Sequence, residues 1–83
     1  MDKILKKIEE IIKEPMKELG IIVDNIEYLT EHKNNFLKIT LDKVNGLDLD
    51  AIVEATHIIN PLLDEYDLIK DEYILDISSK ERG

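Results

Sequence analysis

The apolar residues of this chain follow two different periods in turn, and that alternation leaves few folds open. Ile4, Leu5, Ile8, Ile11, Ile12, Met16 and Leu19 recur at spacings of three and four, which predicts a helix with one buried stripe. Asp2 is placed to cap it, Gly20 to end it in the left-handed conformation, and Pro15 to bend it near Ile11 by removing one internal hydrogen bond. From Ile21 to Thr30 the residues turn branched and aromatic. After a polar run from Thr30 to Asn35, the stretch Phe36 to Asp42 alternates with Leu37, Ile39 and Leu41 on one face, so two strands joined by a hairpin are expected. Lys43-Val44-Asn45-Gly46 supplies a turn. Asp48 or Asp50 can then cap a second helix, with a stripe that includes Leu49, Ile52, Val53, Ile59 and Leu63. Asn60-Pro61 is expected to interrupt that helix or to begin a short separate one. Tyr73, Leu75 and Ile77 alternate with Ile74, Asp76 and Ser78 as a third strand.

The order α-β-β-α-β predicts an α+β two-layer sandwich, a three-stranded sheet with two helices on one face and a KH-like topology. The second helix carries the chain back, so the third strand should run parallel to the second; its pairing with either hairpin strand stays open. At 83 residues the chain is read as one domain, 1–83, with no second core. A domain of this size buries roughly 60 to 65% of its unfolded surface, which leaves little room for a deep cofactor pocket. With 43% hydrophobic and 36% charged residues it is too apolar for a disordered chain and too charged for a membrane span. Cysteine is absent, which removes disulfides, thiolate metal sites and cysteine nucleophiles. The charged N-terminus carries no apolar run of signal-peptide length, so the cytoplasm is the expected location.

The formal net charge of −8 is unevenly spread. Residues 1–20 balance five acids against five lysines, whereas Leu41 to Asp76 holds ten acids against only Lys43 and Lys70. An acidic surface of this kind repels phosphate, giving the counterion-release contribution to nucleic-acid binding the wrong sign. A basic partner is favoured instead.

The chemical motifs fail one by one. Glu54 and His57 have the Glu-x-x-His spacing, but no second helix supplies the matching pair a metal needs, and His57 falls on the polar side of its helix. His32 belongs to the hairpin loop. A calcium loop with Gly46 at its sixth position puts Leu41 and Lys43 where oxygen ligands are required. Ser78-Ser79 lacks the Gly-x-Ser-x-Gly elbow and a histidine base. The three glycines, Gly20, Gly46 and Gly83, are isolated, so the Gly-x-x-Gly clamp of a KH module is missing. Tyr28 and Phe36 are expected in the core rather than stacked on bases. No cofactor, metal or catalytic residue is assigned, and no enzyme is expected.

In order and spacing the chain resembles the N-terminal domain of the bacterial ribosome maturation factor RimP family. The resemblance is carried by Pro15 and Gly20 in and after the first helix, Asp24-Asn25-Ile26-Glu27-Tyr28 in the first strand and Leu41-Asp42-Lys43 closing the second. Gly46 with Asp48 to Asp50, Leu62-Leu63-Asp64 and Tyr73-Ile74-Leu75-Asp76-Ile77-Ser78-Ser79 continue it. Two departures stand out: Lys80-Glu81 replaces the Pro-Gly that follows the serines in the family, and the family's second domain, a small β-barrel, has no counterpart. The chain therefore reads as a fragment or a one-domain relative.

The resemblance implies a non-enzymatic factor in small-subunit assembly, associating with the maturing subunit and with a basic ribosomal protein. Direct RNA contact is secondary, and the oligomeric state is left open. The candidate contacts are Asp42, Asp48, Asp50 and Glu54 around the glycine turn, with Ser78, Ser79 and Arg82 at the end of the third strand. Two other readings stand beside it: an interaction or dimerisation module unrelated to ribosomes, and a KH-like nucleic-acid-binding domain.

Overall fold

The computed structural model describes residues 2–80. Its elements are α1 (Asp2–Glu18), β1 (Ile21–Glu31), β2 (Asn34–Lys43), α2 (Leu49–Tyr66) and β3 (Ile74–Ser79), the order α-β-β-α-β. In α1 the three- and four-residue spacing brings Ile8, Ile12 and Met16 to full burial on one face. Pro15 lies inside this helix and Asp2 in its first turn. Gly20 ends it at φ +74°, a left-handed conformation that glycine adopts without steric cost, and its N–H donates to Lys17 O at 3.0 Å.

The hairpin turns at His32 and Lys33, both at positive φ (49° and 68°). This is the backbone twist that two-residue hairpin loops favour. Leu37, Ile39 and Leu41 of β2 are fully buried, and period-two alternation turns Phe36, Lys38, Thr40 and Asp42 to the other face. In β1 the inward residues Val23 and Ile26 differ in parity, so a regular strand would send one of them outward. The register shifts between Val23 and Asn25, and the extra residue, Asp24, restores the phase: Val23 pairs with Leu41 and Ile26 with Ile39. Sequence periodicity alone does not reveal this bulge.

The sheet order is β1-β2-β3, with β1 and β2 antiparallel and β2 and β3 parallel. The open question of the third strand's partner is thus resolved in favour of β2, where Leu75 pairs with Leu37 and Ile77 with Ile39. α2 closes the layer from above with Ala55, Ile59 and Leu63 buried, and Ile21 and Ile69 complete the core.

Two expectations are corrected. α2 runs unbroken through Asn60-Pro61 as 18 residues. Proline at 61 frees the carbonyl of His57; both residues are exposed, so water can take that carbonyl while Ile59 and Leu63 hold the helix on its buried side. Leu49 and Val53 do not belong to the buried stripe: they are 74% and 46% exposed. The stripe that packs runs through Ile52, Ala55, Ile59 and Leu63, and continuing Leu49 and Val53 along the helix leads only to His57 and Asn60, which are exposed.

Candidate partner-docking surface

Because β2 and β3 are parallel, both finish at the same end of the sheet, and α2 begins there. That topology gathers most of the candidate contacts at one end of the molecule, distributed over two faces. Asp42 and Ser78 lie on the face away from the helices; Thr40, opposite Ser78, is one step from Asp42 on that side. The main-chain N–H of Lys43 donates to Asp42 Oδ1 at 2.8 Å. Ser79 pairs with Leu41. Asp48, Asp50 and Glu54 belong to the helical layer. Asp48 is the N-cap of α2: its Oδ1 accepts the Ala51 N–H at 2.8 Å, satisfying one of the helix's four orphan donors. Asp50 occupies the first turn, where the helix dipole favours a negative charge, and Glu54 stands one turn further on, both exposed. Arg82 lies outside the described residues.

The outer sheet face is laid out in rows. Asn25, Thr40 and Ser78 form a polar row, Glu27, Lys38 and Asp76 a charged one, and Leu29, Phe36 and Ile74 an apolar one. Phe36, expected in the core, is half-buried on this outer face, whereas Tyr28, opposite Leu37, is half-buried on the helical side.

The candidate contacts cover only one of two acidic regions. At the far end of α2, a depression of about 380 Å³ is lined by Asp64, Asp67, Asp71 and Glu72 around Tyr73 and Lys70. Lys70 Nζ lies 3.3 Å from Asp67 Oδ2 in an exposed pair. The loop is tied to the hairpin through Asn35, whose Nδ2 donates to Glu72 O at 3.0 Å and whose Oδ1 accepts from Thr30 Oγ1 at 2.8 Å. The ten acids between Leu41 and Asp76 were the signal for this second region.

Burial raises the Tyr73 hydroxyl above its ordinary value of 10.0, and the carboxylates of Asp64 and Asp67 add to the shift. A phenol with a raised folded value binds its proton more tightly folded than unfolded. Its contribution is therefore fully present below about pH 10 and lost as pH rises through the folded value. Alkaline titration of stability should thus fall less steeply in Tyr73→Phe than in the parent chain. Parallel alkaline limbs in the two proteins would refute this.

Among the described residues, no group of three or more His, Cys, Asp or Glu is placed to hold a metal ion, and no helix is long and apolar enough to cross a membrane. The profile of the RimP N-terminal domain family matches residues 11–80, 70 of the chain's 83. The chain belongs to the RimP N-terminal domain family. The match begins within α1 and reaches past the end of β3, so it covers all three strands and α2. RimP is a family of ribosome maturation factors, and membership places this chain in ribosome-related interactions. The resemblance noted in the sequence is thereby borne out.

Proposed function

We propose that this chain, as a single RimP N-terminal-like domain, assists maturation of the small ribosomal subunit in the cytoplasm without catalysing a reaction. It does so by presenting acidic surface to a basic ribosomal protein on the maturing subunit. The observation that carries this reading is family membership over residues 11–80. The charge distribution supports it independently: Asp50 and Glu54 project from α2 into solvent, in the segment that holds ten of the chain's 19 acids. Opposite charge across an interface raises the encounter rate and selects orientation more than it adds affinity. The same acids disfavour a phosphate backbone as the primary contact.

Co-sedimentation with immature small subunits across a salt series tests this. Asp50→Lys combined with Glu54→Lys moves the formal net charge from −8 to −4 while leaving the Asp48 cap in place. Retention of the parent chain should weaken as salt rises, and the variant should bind about tenfold more weakly at low salt. Retention independent of both salt and substitution would overturn the reading.

A further inference from the structure

The Lys43–Gly46 turn and the first turns of α2 expose apolar side chains that the fold does not use. Val44 is 76% exposed, Leu49 74% and Val53 46%. The turn is closed by the Gly46 N–H donating to Lys43 O at 2.9 Å, and residues 46–48 lead from it into the helix. Leu49 and Val53 stand one turn apart, and therefore on one face. Neither contributes to the cap, which is Asp48, nor to the packed stripe of Ala55, Ile59 and Leu63. Valine is also a poorer helix former than alanine or glutamate, so its presence gains the isolated helix nothing. Of the other large exposed apolar residues, Ile22 lies on the outer sheet face at the same end, Ile74 ends the outer-face row it forms with the half-buried Leu29 and Phe36, and Tyr66 stands at the far end of α2. Singly exposed apolar residues are ordinary, whereas a contiguous group rimmed by polar ones is the mark of an interaction site. Here the rim is acidic: Asp50 and Glu54 follow Leu49 and Val53 in sequence and stand on the adjoining strip of the same helix.

From this arrangement we infer that Leu49 and Val53 form the apolar centre of a docking site for a basic amphipathic segment, one that carries lysine or arginine around a branched aliphatic anchor. This rests on the proposed docking of acidic surface to a basic protein and deepens it. Apolar side chains in the middle exclude water and resist salt, while the acidic rim steers and aligns the incoming cations. A purely charged partner leaves the aliphatic group exposed, and a purely apolar one buries the carboxylates unpaired.

Two synthetic peptides of equal charge test the site without a ribosome. One is a lysine-rich helix with leucines at three- and four-residue spacing; the other has those leucines replaced by serine. At high ionic strength the leucine peptide should bind about tenfold or more tightly than the serine peptide. That preference should vanish in Leu49→Gln/Val53→Gln, whose surface substitutions leave the core intact, and amide shift changes on binding should centre on residues 49–54. Equal binding of the two peptides, or a preference that survives in the variant, overturns the inference. So does concentration-dependent self-association that Leu49→Gln/Val53→Gln abolishes, since a second copy would then be the occupant. Failure here with salt-sensitive retention on immature subunits would leave the proposed function standing. Discrimination here without such retention would count against the ribosomal reading alone.

Discussion

Replacing Ile39 by alanine is expected to remove about 2–5 kcal/mol of stability, the range for deleting a large aliphatic side chain from a core. Ile39 sits at the middle of the middle strand, fully buried, with Ile26 on one side and Ile77 on the other. Both helices lie over this face, so neighbours on every side would have to move to fill the space. At roughly 0.05–0.15 kcal/mol per residue, a domain of this length has about 4–12 kcal/mol in all, so the substitution threatens the folded state at physiological temperature. Urea denaturation should show a lower midpoint with an unchanged slope. A loss below about 1 kcal/mol would mean that the site collapses around the missing methyl groups and that the two layers are less tightly joined than described.

Lys38→Pro should be comparably damaging for a different reason. Lys38 is half-buried on the outer face, where its side chain matters little to the core; its main chain, however, is paired with Glu27 on one side and Asp76 on the other. In a central strand every N–H faces a neighbour, so proline removes a ladder bond whichever side it points to and leaves a carbonyl without its donor. A loss of about 3 kcal/mol or more is expected, read as collapsed amide dispersion and an early thermal transition. Lys38→Thr keeps the N–H and should stay within about 0.5 kcal/mol of the parent. If the proline variant were equally stable, β2 would not be the centre of the sheet.

Much of this architecture is legible in the sequence because period and element type are tightly linked. The stripe of Ile8, Ile12 and Met16 announces a helix, and Leu37, Ile39 and Leu41 announce a strand, since no other backbone brings those residues to one face. Features that depend on two elements at once were hidden. The bulge at Asp24 is visible only once Val23 and Ile26 must both meet β2, and the position of β3 depends on where α2 delivers the chain. Pro61 misled because its harm depends on which carbonyl it strands: here that of His57, on the solvent side. Leu49 and Val53 misled because a hydrophobic residue near a helical stripe reads as part of it. Only the decay of their own series into His57 and Asn60 hinted that they point elsewhere. The acidic cluster around the turn was readable as charge, but its separation into a sheet-face part at Asp42 and a helical part at Asp48, Asp50 and Glu54 required the fold.

The bulge at Asp24 has a further effect at the rim of the sheet. Unpaired strand borders invite other chains to add on by main-chain bonding, and proteins discourage this with bends, short runs and charge. Here one border is β1, bent where Asp24 is inserted and where Lys80 Nζ reaches Asp24 Oδ1 at 3.2 Å; the other is β3, only six residues long with Asp76 inside it. Both borders thus discourage lateral growth into larger sheets. Partners are directed instead to the broad surfaces, where side chains rather than backbone decide who binds.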